Sequence, residues 1–194
     1  MSPRNRSQNE QVRTVSTGKI LDAAFKVMSD KGYDAASIAD IAREAKISKG
    51  LMYNYFESKE ELLKALINRT LCNSDSLLEE IHSDNPATTL SNIFSWFFHE
   101  LKYNIGEWRF LTGIMLMSEK FDFIKPLINQ KINEYTQLFT MILTQIGVEN
   151  AEGEARIIGC IFDGIGIQYL VMGIEYPLDQ LEQYLKNKYC TKQP

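Results

Sequence analysis

Apolar residues recur along this chain at three- and four-residue intervals, and no run of strict apolar–polar alternation bounded by turn residues interrupts them. The first stripe is Ile20, Ala23, Ala24, Val27 and Met28, widened by Leu21 and Phe25, which predicts a helix over about 17–31. Gly32 follows it, where helices commonly end on glycine. Ser37 with Asp40 three residues later reads as a capping box. It opens a short helix whose Ile38, Ile41, Ala42 and Ala45 face inward. Ser48 caps the next helix, predicted to end near Phe56. Ser58 and Glu61 form a second capping box, starting a longer helix through Leu62, Leu63, Leu66 and Ile67 to about Ile81.

Beyond this, Asn85-Pro86 is a cap followed by a proline in the first helical position. The stripe Leu90, Ile93, Phe94, Phe97 and Leu101 follows, with Gly106 as its expected end. A shorter segment covers about 107–119. Another helix is predicted from near Pro126, with Ile128, Ile132, Tyr135, Phe139, Ile142 and Ile146 on one face and Gly147 after it. Segment 151–174 comes next, and Pro177 begins a last helix to about Tyr189. No internal repeat is visible, and the fold class is all-α. The expected organisation is a polar, basic, flexible arm over 1–16, a compact helical head over 17–64 and a larger bundle over 65–194.

Segment 151–174 is apolar on two faces. One is Ala155, Ile158, Phe162, Ile165, Tyr169 and Met172; the other is Ile157, Ile161, Gly164, Gln168 and Val171. Such a helix must be covered on both sides, either by its own bundle and a partner subunit or as the central helix of a monomer. Gly159, Gly164 and Gly166 point to close helix approach, since each costs about 0.5–1 kcal/mol relative to Ala in a helix. The 18 residues from Ile157 to Ile174 also have the length of a membrane span. Asp163 near the middle, at about 2.5–3.5 kcal/mol on insertion scales, and the interrupting glycines argue for a buried interface helix instead.

Composition agrees with a folded chain. The 194 residues are 44% apolar with a net charge of −4, which excludes extensive disorder. The polar stretch Met1 to Lys19 has no signal-peptide core, and the chain is expected in the cytoplasm. Cys72, Cys160 and Cys190 have no C-x-x-C spacing, and His82 and His99 are the only histidines, so no metal site or disulfide framework is expected. Charge is uneven: the first 60 residues hold ten basic and eight acidic side chains, a charge of +2, leaving −6 on the rest. A basic head on an acidic body fits a head that faces phosphates.

Two short helices, each opened by a serine and joined by a short turn, form a helix-turn-helix pattern. In the second, Met52 and Phe56 share an inward face, while Lys49, Gly50, Tyr53 and Asn54 lie opposite with Tyr55 at the flank. That surface suits a DNA major groove: lysine reaches guanine, asparagine pairs with adenine, and glycine permits close approach. Tyrosine hydroxyls hold phosphates. Lys59 sits in the first turn of a helix, against the helix dipole, a placement that a neighbouring phosphate or simple solvent exposure would explain.

The stretch Ile20 to Leu66 closely resembles the DNA-binding domain of the TetR family of bacterial transcriptional regulators, in ILDAAF, KGY, SIADIAREA, SKGLMYNYF and SKEELL. The resemblance implies a homodimer on a palindromic operator in double-stranded DNA, usually a repressor released by a small-molecule effector. It assigns base or phosphate contacts to Lys49, Gly50, Leu51, Tyr53 and Tyr55 in the recognition helix that Ser48 opens. It assigns phosphate clamping to Ser37 and Lys59. The family usually has glycine in the turn where this chain has Lys46. It also implies a ligand and dimerisation domain after the head.

Residues 94–139 are dense in aromatics and methionine; singly such residues fill a core, and as a group they exceed what a small bundle needs and fit the lining of a permissive apolar pocket. Phe98, Trp108, Met115, Phe121, Tyr135 and Phe139 are the ligand-binding candidates. Ile158, Phe162, Ile165, Tyr169, Leu181 and Leu185 are the dimer-interface candidates. An enzyme is disfavoured, since no nucleophile–base set, phosphate loop, metal spacing or cofactor motif is present. The alternative is a helical regulator or scaffold that acts through a protein partner without a small ligand.

Overall fold

The computed structural model of the protein describes residues 6–80 and 82–191, with side chains described over 11–71 and 82–191. Among these residues every regular element is helical. They divide into two compact units, with the boundary between Thr70 and Leu71.

The first unit holds α1 (Arg6–Ala35), α2 (Ile38–Glu44), α3 (Lys49–Met52) and the start of α4 (Lys59–Glu80). Helix α1 reaches back to Arg6, well ahead of the expected start at 17. Gly32 breaks it at φ 76°, ψ 159°, a left-handed backbone that glycine adopts freely. Ile20, Ala24, Ile41, Met52, Leu62 and Leu66 are almost fully buried, so α1, α2 and α4 enclose a core into which α3 sends a single anchor. Arg69 ties α4 to α1, its Nη1 donating to Asp22 at 2.8 Å and to the Gly18 carbonyl at 3.3 Å.

The second unit contains α5 (Pro86–Tyr103), α6 (Ile105–Leu116), α7 (Ile124–Gln145), α8 (Ala151–Met172), one 3-10 turn (Gly173–Glu175) and α9 (Leu178–Tyr189). Asn85 caps α5 through Oδ1, which accepts from the Ala87 and Thr88 amides. Gly106 does not end α5; the helix stops at Tyr103, and Gly106 lies in the first turn of α6. Pro126 falls in the first turn of α7, where a missing N–H costs no intrahelical bond. Helix α7 packs along α8, and α5 packs against α7, α8 and α9. Leu90, Phe94, Phe98, Leu101, Leu143 and Ile158 form the centre. Tyr189 on α9 donates its hydroxyl proton to Glu154 on α8 at 2.6 Å.

The stretch Ala151–Glu175 is long and apolar enough to cross a membrane by length and composition, at mean hydropathy 1.8, yet only 17% of its 18-residue apolar window is buried within the chain. A core helix would be mostly covered. Its outer face needs another explanation, which its side chains provide below.

Candidate nucleic-acid interface

Two caps build the helix-turn-helix. Ser37 Oγ accepts from the Asp40 amide at 3.1 Å, and the Asp40 carboxylate accepts from the Ser37 amide at 3.3 Å and hydroxyl at 2.7 Å. Those hydrogen bonds from Ser37, with Lys31 nearby, hold the Asp40 carboxyl down at about 2. Arg43 also contacts Asp40. After α2 the chain turns at Lys46, whose φ of 57° is the left-handed backbone that favours glycine. The departure from the family's glycine therefore falls on a residue that needs glycine's conformation. Ser48 then caps α3, its Oγ accepting from the Leu51 amide at 3.1 Å.

Helix α3 is shorter than expected. It ends at Met52, and residues 53–55 continue as turns rather than helix to Phe56. The inward pair holds: Met52 is fully buried and Phe56 nearly so. Lys49, Gly50, Leu51, Tyr53 and Asn54 are all exposed, Leu51 at 40% and Tyr53 at 48%. Nothing in the chain would lie within 4 Å of a Cβ on Gly50, so that face is open to an incoming surface. Tyr55 is half-buried, with the Arg13 guanidinium 5.8 Å from its ring centre. Five of the nine expected contact residues thus form one exposed patch. Ser37 and Ser48 are exposed caps whose hydroxyl oxygens already accept backbone bonds.

Lys59 lies apart from this patch. It projects from the first turn of α4 toward the end of α1, where Nζ donates to the carbonyls of Tyr33 and Ala36. These carbonyls, distant in sequence, balance the unfavourable helix dipole at Lys59 without a phosphate. Glu61 completes the α4 cap from one residue further back than a standard box, accepting from the Glu57 amide at 2.6 Å while its own amide donates to Ser58 Oγ.

In the second unit, the aromatic candidates separate. Phe98, Trp108, Tyr135 and Phe139 belong to one packed cluster. Its hub is two rings that the ligand assignment left out: Phe97 and Phe162 stack at 3.8 Å and 4°. Phe98 and Trp108 meet Phe97 edge-on at 5.2 and 5.4 Å, and Phe139 meets Phe162 at 5.9 Å. Phe121 instead pairs with Phe123 at 5.7 Å, ahead of α7. Met115 is 37% exposed on α6 and joins neither group. Among the described residues no three His, Cys, Asp or Glu side chains cluster to hold a metal ion.

The dimer candidates lie on the side of their helices that meets their own chain. Ile158, Ile165 and Leu185 are buried in the core of their own chain, and Phe162, Tyr169 and Leu181 pack against that core. The outward stripe of α8 is Ile157, Cys160, Ile167 and Val171, continued by Ile174 in the 3-10 turn that follows, with Val171 82% and Ile174 95% exposed. Two faces of similar hydrophobicity cannot be ordered by periodicity alone. Gly166 held the signal, since its missing side chain makes room for Trp108 inside the chain.

Comparison with known proteins places this geometry. Residues 20–66 match the model of bacterial regulatory proteins, tetR family. An uncharacterized HTH-type transcriptional regulator of Bacillus subtilis (strain 168), YvdT, is 40% identical over 76 residues, which is 39% of each chain. The chain spans 17% and 53% of two further curated relatives, so it covers about half or less of the length of all three. Two solved structures share the fold over most of the chain. A TetR transcription regulator from Haloarcula marismortui superposes at a TM-score of 0.81, 17% identity, over 91% of this chain and 97% of that one. A transcriptional regulator from Saccharomonospora viridis, solved in complex with choline, superposes at 0.80, 22% identity, over 90% and 95%.

Proposed function

We propose that this chain, whose residues 20–66 match the model of bacterial regulatory proteins, tetR family, is a sequence-specific DNA-binding transcriptional regulator of the cytoplasm, with no membrane span and no catalytic step. The observation that carries the reading is the exposed patch of Lys49, Gly50, Leu51, Tyr53 and Asn54 on a short helix anchored by buried Met52. Folding alone does not call for a lysine, an open glycine, an apolar leucine and a tyrosine on one solvent face. Lysine and asparagine supply donors for base edges, and leucine supplies an apolar contact for a thymine methyl.

The protein works as a homodimer. The outward stripe of α8, with Tyr184 exposed on α9, supports an isologous interface between two copies. Two recognition helices then read half-sites of a palindromic operator about one helical turn apart. Regulation is repression relieved by a small apolar or aromatic effector held among the rings around Phe97 and Phe162. The choline complex of the Saccharomonospora regulator supports a scaffold that admits a small molecule. Helix α4, continuous from Lys59 to Glu80, runs from the first unit into the second and supplies the covalent link for the signal.

Selection of duplexes from a random pool tests the reading. The expected result is one enriched, two-fold-symmetric sequence whose binding weakens with salt. Absence of any enriched duplex would remove DNA recognition as the function. Titration of that complex with a panel of apolar, aromatic and quaternary ammonium compounds, choline included, then tests the effector.

A further inference from the structure

Helices α2 and α3 lie on the segment of chain between Ala36 and Ser58, and each sends a buried side chain, Ile41 and Met52, into the core of the first unit. The Lys59 side chain bridges the two ends. Its Nζ donates to the Tyr33 carbonyl at 2.7 Å and the Ala36 carbonyl at 2.8 Å, with a longer contact of 3.4 Å to Asp34. The same ammonium stands 4.2 Å from the centre of the Tyr33 ring. An ammonium has three donors and no acceptor, so two short bonds, one long bond and a ring face occupy it.

The electrostatics run the same way. The first turn of α4 repels a cation, while backbone carbonyls at the end of α1 attract one. The four-carbon stem lets the charge leave the unfavourable pole and reach the favourable one. Ala36 is the last residue before the α2 cap, and Lys59 is the first residue after the α4 cap. A bond between them therefore closes the helix-turn-helix segment at its base.

We propose that Lys59 is a positioning residue: its ammonium clasps the end of α1 to the start of α4 and so sets the orientation of α3, and it does not grip the phosphate backbone. The proposal deepens the DNA-binding reading, since the element it positions is the recognition helix. The clasp is intramolecular, however, and can be read without DNA.

The test compares the full-length protein with K59M, which keeps the stem and removes the donors; K59Q, with a shorter uncharged donor, takes its place if K59M does not fold. Amide hydrogen exchange is followed in the absence of DNA. Exchange over 38–56 is expected to quicken about tenfold, the fold-change of losing one charge-assisted hydrogen bond, while α1 before Gly32 keeps its protection. Binding to a random-sequence duplex is then measured across salt concentrations. The variant is expected to bind more weakly with an unchanged slope of log K against log salt. A slope smaller by about one, the mark of a lost phosphate contact, overturns the proposal, as does an unchanged exchange pattern. If the wild-type chain binds no duplex, the DNA-binding reading fails, and the exchange measurement alone still decides whether the clasp exists.

Discussion

The indole of Trp108 occupies the space beside Gly166: a Cβ on that glycine would stand 1.9 Å from Nε1 and 2.2 Å from Cε2. Glycine in mid-helix costs about 0.5–1 kcal/mol relative to alanine, and here the indole filling its place offsets that cost. The ring also packs edge-on against Phe97. One consequence is that Trp108 Nε1 is buried without a hydrogen-bond partner.

Gly166→Ala is expected to destabilise the protein by about 1–3 kcal/mol, the range for overpacking a core. Urea denaturation checks it, with the slope m unchanged. The effect should shrink when Trp108 is also replaced by Ala, because the clash is between these two groups. Strict additivity of the two substitutions would show that the close approach is not energetically important.

Lys46 holds φ at 57° with no glycine to ease it. Lys46→Gly is expected to raise stability, by up to about 1 kcal/mol, by relieving the strained backbone. The change should leave α2 and α3 intact by circular dichroism. A loss of stability on this substitution would mean that the lysine side chain contributes more than its backbone costs.

Asp40 makes the α2 cap dependent on pH. Its carboxyl is lowered from 3.8 to about 2, chiefly by hydrogen bonds from Ser37. A folded-state value below the unfolded one contributes stability that is fully present above about pH 4 and is lost as pH falls toward 2. The stability gap between the wild type and Asp40→Asn is therefore expected to stay constant from pH 7 to about 4 and to close between 4 and 2. A gap that does not vary with pH would disprove the assignment.

Lys49 is exposed on α3 and has no structural duty visible beyond its place in the helix. Lys49→Ala is expected to change which duplexes are enriched from a random pool, by about 1–3 kcal/mol at the base pair it reads, with little effect on folding. If preference and affinity both stay the same, the patch on α3 is not the reading surface.

Ile167 sits at the middle of the outward stripe of α8, and Ile158 lies one face round in the core. Ile167→Glu is expected to yield a folded monomer by sedimentation. Ile158→Ala is expected to cost about 2–5 kcal/mol of folding stability, as a buried truncation does. A wild-type chain that sediments as a monomer would remove the interface.

Short-range signals are legible in the sequence. Ser37 with Asp40, Ser48 and Asn85 sit at the helix starts they announce, because a cap is a local hydrogen bond between near neighbours. Met52 and Phe56 are inward as their four-residue spacing implies, although the second is reached through turns rather than helix. What failed depends on distance. Lys59 meets carbonyls more than twenty residues away, and no local pattern records them. The inward face of α8 is decided by which side Phe97 and Trp108 approach from, not by its own periodicity. Helix α1 begins ahead of the expected residue 17: Gln8 to Thr17 is mostly polar, and polarity alone does not forbid a helix.

In the proposed dimer a second copy covers Val171 and Ile174, which a single chain leaves to water, and the fate of the protein then follows its dosage. The amount of paired protein rises with the square of the free chain concentration. Halving synthesis in a cell thus lowers the paired, operator-competent form by more than half. The unpaired remainder, with an adhesive apolar strip, is the form most open to misassembly and proteolysis. Gene copy number and messenger level would then act as regulatory inputs in their own right, through the apolar edge of one helix.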